Sequence, residues 1–178
     1  MHPDIESILL DQKAIHQRVQ ELAEQLSNDF RGQDVLMIGV LKGSFCFHAD
    51  LVRAMSIPVV VDFVACSSYG ASTASSGTLR FTKDLSLDAA GKVLVIVEDI
   101  VDSGLTLQGM RELLQAKNPA QVVSAVLLDK PSRRAVDIQP DYIGFTIPDA
   151  FVVGYGLDYA EKYRELPFVG ILKPEIYQ

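Results

Sequence analysis

The chain has 178 residues and a formal net charge of −7, from 16 Lys and Arg against 23 Asp and Glu. This acidic balance argues against a general nucleic-acid binder and against a membrane-surface binder, because both need a positive field. An apolar share of 48% is enough for a globular core, and the length predicts one domain spanning residues 1–178. An anionic small molecule is still compatible with the charge, since local cations, metal ions and backbone N–H groups bind phosphate on acidic proteins.

The cysteines and the first residues bear on the cellular compartment. Cys46 and Cys66 lack a C-x-x-C spacing, and no histidine belongs to an H-E-x-x-H-like array. Two reduced thiols are typical of a cytosolic protein. The first residues lack the basic start and apolar run of a signal peptide, and no apolar run approaches the roughly 18 residues that a membrane helix needs. We therefore expect a soluble, cytoplasmic protein.

The first half of the chain predicts two helices, two strands and a long loop. Apolar residues spaced three and four apart over residues 4–30 predict an amphipathic helix. A continuous apolar run at 35–40 predicts a fully buried strand, and residues 45–55 predict a second amphipathic helix. A strand is predicted at 59–64. Residues 67–77 are almost all Ser, Thr, Gly and Ala, so we expect a mobile loop there.

The second half of the chain continues the alternation of strands and helices. Residues 78–82 predict a short returning strand, and residues 92–97 form the most apolar strand of the chain. Residues 98–104 lead from that strand into a helix, and residues 122–128 predict another buried strand. Shorter strands are predicted at 142–147, 151–153 and 168–172. Val- and Ile-rich runs alternating with amphipathic helices predict an α/β fold with a mainly parallel central sheet flanked by helices.

Unusual segments follow several of the predicted strands. Residues 41–43, 98–106 and 129–131 each come directly after a strand, and the expected mobile loop follows a fourth. Ligands of parallel sheets bind beyond the carboxyl ends of the strands. The sequence therefore predicts one binding site at this edge of the sheet.

The richest of these segments combines acids with a helix start. Glu98, Asp99 and Asp102 place three carboxylates within five residues after a buried strand, where like charges repel unless something offsets them. Ser, Gly and Thr among residues 103–106 then open a helix, where free N–H groups and hydroxyls can cradle a phosphate. The combination suits a phosphorylated sugar, with the acids binding ribose hydroxyls, a divalent metal or both. The alternative is an N-capped helix with a solvated acidic rim.

Residues 95–106, VIVEDIVDSGLT, closely resemble the phosphoribosyl pyrophosphate (PRPP) motif of type I phosphoribosyltransferases. Asp102 at its position resembles the 6-oxopurine branch, the hypoxanthine-guanine phosphoribosyltransferases. Four more segments fall in the family's order: GVLKGS at 39–44, SSYG at 67–70, DKP at 129–131 and PDAFVVGYGLDYAEKYR at 148–164. The resemblance implies the type I phosphoribosyltransferase fold, with a small base-binding hood from about residue 148 to 178 plus the N-terminal segment.

The resemblance implies a purine salvage enzyme that transfers the 5-phosphoribosyl group from PRPP to N9 of hypoxanthine or guanine, giving IMP or GMP and pyrophosphate. It implies Mg²⁺ as cofactor, with Glu98, Asp99 and Asp158 as metal ligands. The peptide bond before Lys42 is often cis in the family. The residues it implies for PRPP and phosphate binding are Leu41, Lys42, Gly43, Glu98, Asp99, Asp102, Ser103, Gly104, Leu105, Thr106 and Arg164.

The purine would meet a second set of residues. The resemblance makes Asp102 the general acid/base beside purine N7, and makes Lys130 the donor to the 6-oxo group, which disfavours the amino group of adenine. Phe151 would stack on the base, and the backbone of Val152 would contact its far edge. The resemblance also places Asp158 among the purine-binding residues. Two residues of the mobile loop, Ser68 and Tyr69, would close over the site and exclude water.

Alone, several of these residues have plainer interpretations. Lys130 would be a solvated loop lysine, Phe151 a core residue, Asp158 and Arg164 surface charges, and the turn at Lys42 a plain turn. Leu105 stands where animal-type members have Lys, and Pro131 where they have Arg, which resembles the compact bacterial branch.

Three alternatives stay open: a sister enzyme that prefers xanthine, a PRPP-sensing regulator that binds RNA or DNA, and a small-molecule phosphatase. For the enzyme we expect PRPP and a 6-oxopurine as partners, no nucleic acid or membrane, and a homo-oligomer, either a dimer or a tetramer.

Overall fold

The computed structural model describes residues 2–68 and 79–177. The strands are β1 (Ile5–Leu10), β2 (Val35–Leu41), β3 (Val60–Ser68), β4 (Leu79–Lys83), β5 (Val93–Val101), β6 (Gln121–Asp129), β7 (Tyr142–Thr146), β8 (Val152–Val153) and β9 (Val169–Leu172). The helices are α1 (Gln12–Asp29), α2 (Phe45–Ala54), α3 (Leu105–Gln115) and the short α4 (Pro174–Tyr177), with a 3₁₀ turn at Pro131–Arg133.

Six strands form the central sheet in the order β4-β3-β2-β5-β6-β7. All neighbouring pairs are parallel except β3 and β4, so the antiparallel strand lies at one edge. The prediction of an α/β fold with a mainly parallel sheet is confirmed. The chain runs outward from β2 in one direction and from β5 in the other, so the carboxyl ends of these neighbours flank a crevice where such sheets bind ligands.

Both faces of the central sheet are covered, which explains the continuous apolar runs. Along β5, Val93, Val95 and Val97 pack in one hydrophobic cluster with buried residues of α1 and α2. The alternate residues Leu94 and Ile96 pack in a second cluster with buried residues of α3. Successive side chains of a strand point to opposite faces. A strand buried on both faces therefore has no polar positions until it reaches the end of the sheet.

A second, three-stranded sheet has the order β1-β9-β8 and is antiparallel. It corrects the prediction of a helix over residues 4–30, because Ile5–Leu10 form β1 and only the remainder is helical. Asp11 caps α1, since its side chain accepts the N–H of Ala14 over 2.7 Å. The partner strand β9 lies about 160 residues further along the chain, a long-range pairing that local spacing does not reveal.

The other predicted elements occur within a few residues of their expected positions, and the short helix α4 was not predicted. Apart from Ser67 and Ser68, which end β3, the segment over which a mobile loop is expected lies outside the described residues. Within the described part of the chain, no helix combines the length and apolar character that crossing a bilayer requires.

Candidate active site

The turn after β2 packs directly on the acidic end of β5. The peptide bond between Leu41 and Lys42 is cis, as the resemblance implies. Gly43 lies so close to the carboxylate of Asp99 that a Cβ atom at this position would overlap it. Gly156, with φ +102°, lies equally close to the carbonyl oxygen of Gly43. Only glycine fits at either position, and the two close approaches bring three segments of the chain together.

Glu98 and Asp99 lie on opposite faces of β5, with Glu98 buried and Asp99 half-buried. Asp99 faces Gly43, whereas Glu98 follows Leu94 and Ile96 on the face of α3. Burial raises the pKa of Glu98 to about 8, and the neighbouring charge of Asp99 adds to the effect. Burial also raises the pKa of Asp99 to about 6, although the N–H of Ile100 and the charge of Arg164 oppose the shift. In the absence of a ligand, both carboxyl groups therefore resist ionisation.

Four charged side chains form what we call the Arg164 cluster: Lys42, Asp158, Glu161 and Arg164. Arg164 donates from Nη1 to the carbonyl of Gly156 over 2.7 Å, and its Nη2 lies 2.9 Å from Oδ1 of Asp158. The carboxylate of Glu161 lies 3.1 Å from Nζ of Lys42 and 3.4 Å from Nη2 of Arg164. Lys42, which follows β2, and Arg164 of the C-terminal segment therefore contact the same carboxylate, that of Glu161.

The turn after β5 is held by the segment that follows the 3₁₀ turn. Gly104 has φ +84° and caps α3, and a Cβ there would meet Ile138 and Arg134. The carbonyl of Ser103 accepts the N–H of Ala135 over 2.9 Å. Because the N–H of Gln108 is the first to bond within the helix, to Gly104, the N–H groups before it have no partner in the helix, and that of Leu105 donates to Oγ of Ser103 over 3.4 Å. This geometry presents donors to a phosphate.

A cleft of about 460 Å³, which we call the β5–β6 cleft, adjoins this turn. Its lining includes Ile100, Asp102, Lys130, Phe151, Val152 and Tyr177. Lys130 is buried, and its Nζ donates to the carbonyl of Ala150 over 2.6 Å. The ring of Phe151 stacks on that of Tyr177, with centroids 4.5 Å apart and planes 17° apart. The cleft thus combines an aromatic wall, an ammonium donor and a carboxylate, as a planar heterocycle with polar edges requires.

Most of the site residues predicted from the sequence lie in two neighbouring groups. Asp102, Lys130, Phe151 and Val152 line the β5–β6 cleft. Lys42, Gly43, Asp99, Asp158 and Arg164 lie together at the ends of β2 and β5. Asp158 therefore pairs with Arg164 and does not line the cleft with the other residues assigned to the purine.

The remaining predicted residues lie around these two groups. Ser103, Gly104, Leu105 and Thr106 form the turn and the first residues of α3. Leu41 and Leu105 are exposed, and Ser68 ends β3. Tyr69 lies outside the described residues.

Sequence reasoning missed several residues at the site. Arg133 lines the cleft, and Arg134 pairs with the buried carboxylate of Asp129 and donates to the carbonyl of Asp102. Glu161 joins two cations, and Tyr177 stacks on Phe151. The two arginines lie three and four residues beyond Lys130, so their position shortly after the end of β6 could have predicted that they belong to the site. Tyr177 gave no such signal, since only the pairing of β9 brings the chain end here.

The carboxylates of the site bear on whether it can hold a metal ion. Among the described residues, no group of three or more side chains has the arrangement of a metal site. Mg²⁺ keeps several waters and binds through one or two carboxylates plus substrate oxygens, so it needs no such group. Burial and the nearby charge of Asp158 both raise the pKa of Asp99. A neighbouring divalent cation would stabilise its ionised form. The residues present therefore fit Mg²⁺ bound together with a phosphorylated substrate.

Comparisons with known proteins identify the family of the chain. Residues 6–160 match the family described as phosphoribosyl transferase domain. The hypoxanthine-guanine phosphoribosyltransferase of Bacillus subtilis is 47% identical over 178 residues, covering 100% of this chain and 99% of that protein. The protein of the same name from Mycobacterium tuberculosis is 49% identical over 181 residues, covering 98% and 90%. A crystal structure of a Staphylococcus aureus hypoxanthine phosphoribosyltransferase superposes with a TM-score of 0.96 at 43% identity, covering 100% and 97%.

The fold is thus that of a phosphoribosyltransferase. The chain belongs to the phosphoribosyltransferase family and, within it, to the hypoxanthine-guanine phosphoribosyltransferases. The resemblance found in the sequence and the fold class are confirmed.

The buried carboxyl group of Glu98 predicts how stability changes with pH when no divalent ion is present. Its pKa is raised in the folded protein, so the folded state keeps a proton that the unfolded state loses, and stability falls as pH rises from about 4.5 to about 8. In EDTA, we expect the melting temperature to be lower at pH 8.5 than at pH 6.0 by at least about 2 °C.

The variant Glu98→Gln should lose most of this decrease, because its side chain does not ionise. The exposed Asp137→Asn serves as the matched control and should keep the wild-type dependence. Equal dependence on pH in the wild type and in Glu98→Gln would contradict the prediction.

Proposed function

We propose that this protein transfers the 5-phosphoribosyl group from PRPP to N9 of a 6-oxopurine, hypoxanthine or guanine, in purine salvage. The observation that carries the proposal is the meeting of Asp102, Lys130 and Phe151 in one cleft beside the helix start of α3. The full-length similarity to hypoxanthine-guanine phosphoribosyltransferases supports it. The enzyme would work in the cytoplasm.

Two parts of the site divide the substrates between them. The turn at 103–106 presents N–H groups and hydroxyls to the 5′-phosphate of PRPP, while Lys42 and Arg164 contact its pyrophosphate. Asp99 is proposed to face the ribose hydroxyls from the side of Gly43. Glu98 is proposed for the same role, although its side chain lies on the opposite face of β5. The base enters the β5–β6 cleft, stacks on Phe151 and meets the backbone of Val152. Ser68 and Tyr69 are proposed to close over the site.

The reaction is a displacement at C1′ of the ribose. N9 of the purine forms a bond to C1′, the bond from C1′ to the pyrophosphate oxygen breaks, and the electron pair leaves with pyrophosphate. Asp102 takes the proton from N7 of the purine, so the base does not accumulate positive charge. Lys130 donates to the 6-oxo oxygen and so selects an oxo group over an amino group.

Asp99 and Asp158 are proposed to hold Mg²⁺ together with oxygens of PRPP; Glu98, the third proposed ligand, lies on the opposite face of β5. When bound, the ion neutralises charge on the pyrophosphate and makes it a better leaving group. The chain's own contribution is to bring Asp99, at the end of β5, near Asp158 of the C-terminal segment and to place Lys42 and Arg164 beside them. Removal of the ion by EDTA should therefore abolish turnover, and added Mg²⁺ should restore it.

A panel of purines tests the proposed function. Initial rates are measured with hypoxanthine, guanine, xanthine and adenine at saturating PRPP and Mg²⁺. We expect hypoxanthine and guanine to react, and we expect kcat/KM for adenine to be at least about 10²-fold lower, because its amino group cannot accept from Lys130. A preference for xanthine would favour the sister enzyme. Turnover of adenine alone would exclude a 6-oxopurine enzyme, and tight, salt-sensitive binding of RNA would instead favour the regulator.

The role of Asp102 predicts a specific kinetic change. Asp102→Asn keeps the shape of the side chain but cannot take a proton, so we expect kcat to fall by about 10²-fold or more. The KM for PRPP should stay near the wild-type value, because other residues bind the phosphates. The exposed Asp137→Asn is the control and should have full activity. Near-wild-type turnover of Asp102→Asn would remove Asp102 from the proton transfer.

The oligomeric state is proposed from the resemblance alone. We propose a homo-oligomer, either a dimer or a tetramer. Light scattering coupled to size-exclusion chromatography should give a mass of two or four chains of 19.5 kDa. A monomer mass at the concentrations of the assay would contradict this.

A further inference from the structure

Arg133, which the sequence analysis did not single out, contacts two carboxylates in the β5–β6 cleft. Its Nε lies 3.3 Å from Oδ1 of Asp102, and its Nη1 donates to Oδ1 of Asp149 over 3.2 Å. The same oxygen of Asp149 lies 4.0 Å from Nζ of Lys130. A chain of alternating charges therefore joins Asp102 to Lys130 along the cleft.

The two oxygens of Asp102 have different surroundings. Oδ1 is buried, and within the described ranges 2–68 and 79–177 it has no hydrogen bond of good geometry, so the guanidinium of Arg133 is its ionic partner. The Asp102 side chain nevertheless keeps 45% of its surface exposed, so this exposure comes from its remaining atoms, Oδ2 among them. Oδ1 of Asp102 is thus covered by the guanidinium of Arg133, whereas Oδ2 is accessible to a ligand.

We propose that Arg133 is a positioning residue, which holds Oδ1 of Asp102 and thereby turns Oδ2 toward N7 of the bound purine. The inference rests on the proposed function, in which Asp102 takes the N7 proton. N7 and the 6-oxo group are neighbours on one edge of the base. The chain from Asp102 through Arg133 and Asp149 to Lys130 sets the spacing of the two groups that meet that edge.

An arginine suits this position better than a lysine. Its planar guanidinium carries donors in a fixed fork, so Nε and Nη1 can hold two different carboxylates at the same time. Asp149 anchors the far end of the guanidinium, and the near end then orients Asp102. When the base fills the cleft and displaces water, the same contacts act in a lower dielectric and become stronger.

Steady-state kinetics of Arg133→Gln test the proposal. We expect kcat with hypoxanthine to fall by about 10-fold, since proton transfer depends on precise placement of the acceptor, while the KM for PRPP stays unchanged. Arg133→Lys should recover only part of the loss, because a point charge cannot hold both carboxylates. Arg53→Gln is the matched control, since Arg53 is another exposed arginine that pairs with an aspartate, Asp50 at 3.7 Å, and it should keep full activity.

A double variant separates a positioning role from a general structural role. If Arg133 acts through Asp102, adding Arg133→Gln to Asp102→Asn should cause no further loss of kcat. Added guanidinium ion should also restore part of the activity of Arg133→Ala, and circular dichroism should show that each variant is folded.

Wild-type kcat in Arg133→Gln, or an equal loss in the Asp102→Asn background, would overturn the inference while the active wild type still supports the proposed function. A folded wild-type protein that turns over no 6-oxopurine would overturn both.

Discussion

The contact between Gly43 and the carboxylate of Asp99 is the constraint on which the rest of the site depends. It joins the turn after β2 to the end of β5 with no room for a side chain between them. Gly156 then packs on the carbonyl of Gly43 and brings the C-terminal segment against both. Lys42 of the turn after β2 and Arg164 of the C-terminal segment consequently lie beside the same carboxylate, although they are more than 110 residues apart in the chain. A side chain at Gly43 would overlap the carboxylate of Asp99 and force that carboxylate to move.

The same packing explains why the two acids at the end of β5 are difficult to ionise in the unliganded protein. β5 is one of the two central strands, and both of its faces are covered by helices, so Glu98, the first polar residue beyond its apolar run, is still buried and Asp99 is half-buried. Burial raises the pKa of Glu98 and of Asp99. A carboxyl group in such a position stabilises the folded state little by itself, and it gains most when a cation and hydroxyl groups replace the lost water. The unliganded fold therefore already favours a ligand of that composition.

The sequence predicted the parts of this protein that are set by local pattern. The apolar runs of β2, β5 and β6 identified the central strands, and the acids and small residues after β5 identified the binding edge. What failed, or was not foreseen, depends on long-range pairing. Ile5–Leu10 match a helical spacing, yet they pair with β9. Arg133 and Glu161 are ordinary charged residues in sequence, and only the folded chain shows that they contact Asp102 and Lys42.

The pairing of charges within the site reconciles the acidic chain with an anionic substrate. Lys42 contacts Glu161, Arg164 contacts Asp158, and Arg133 contacts Asp102 and Asp149. Each of these three cations thus already has a carboxylate partner from the chain itself, so charges of both signs are interspersed at the site of a chain whose net charge is −7. A phosphate or a purine that enters replaces one oxygen acceptor by another and leaves no cation without a partner. Recognition of an anion therefore depends on where these pairs are placed and not on an excess of positive charge.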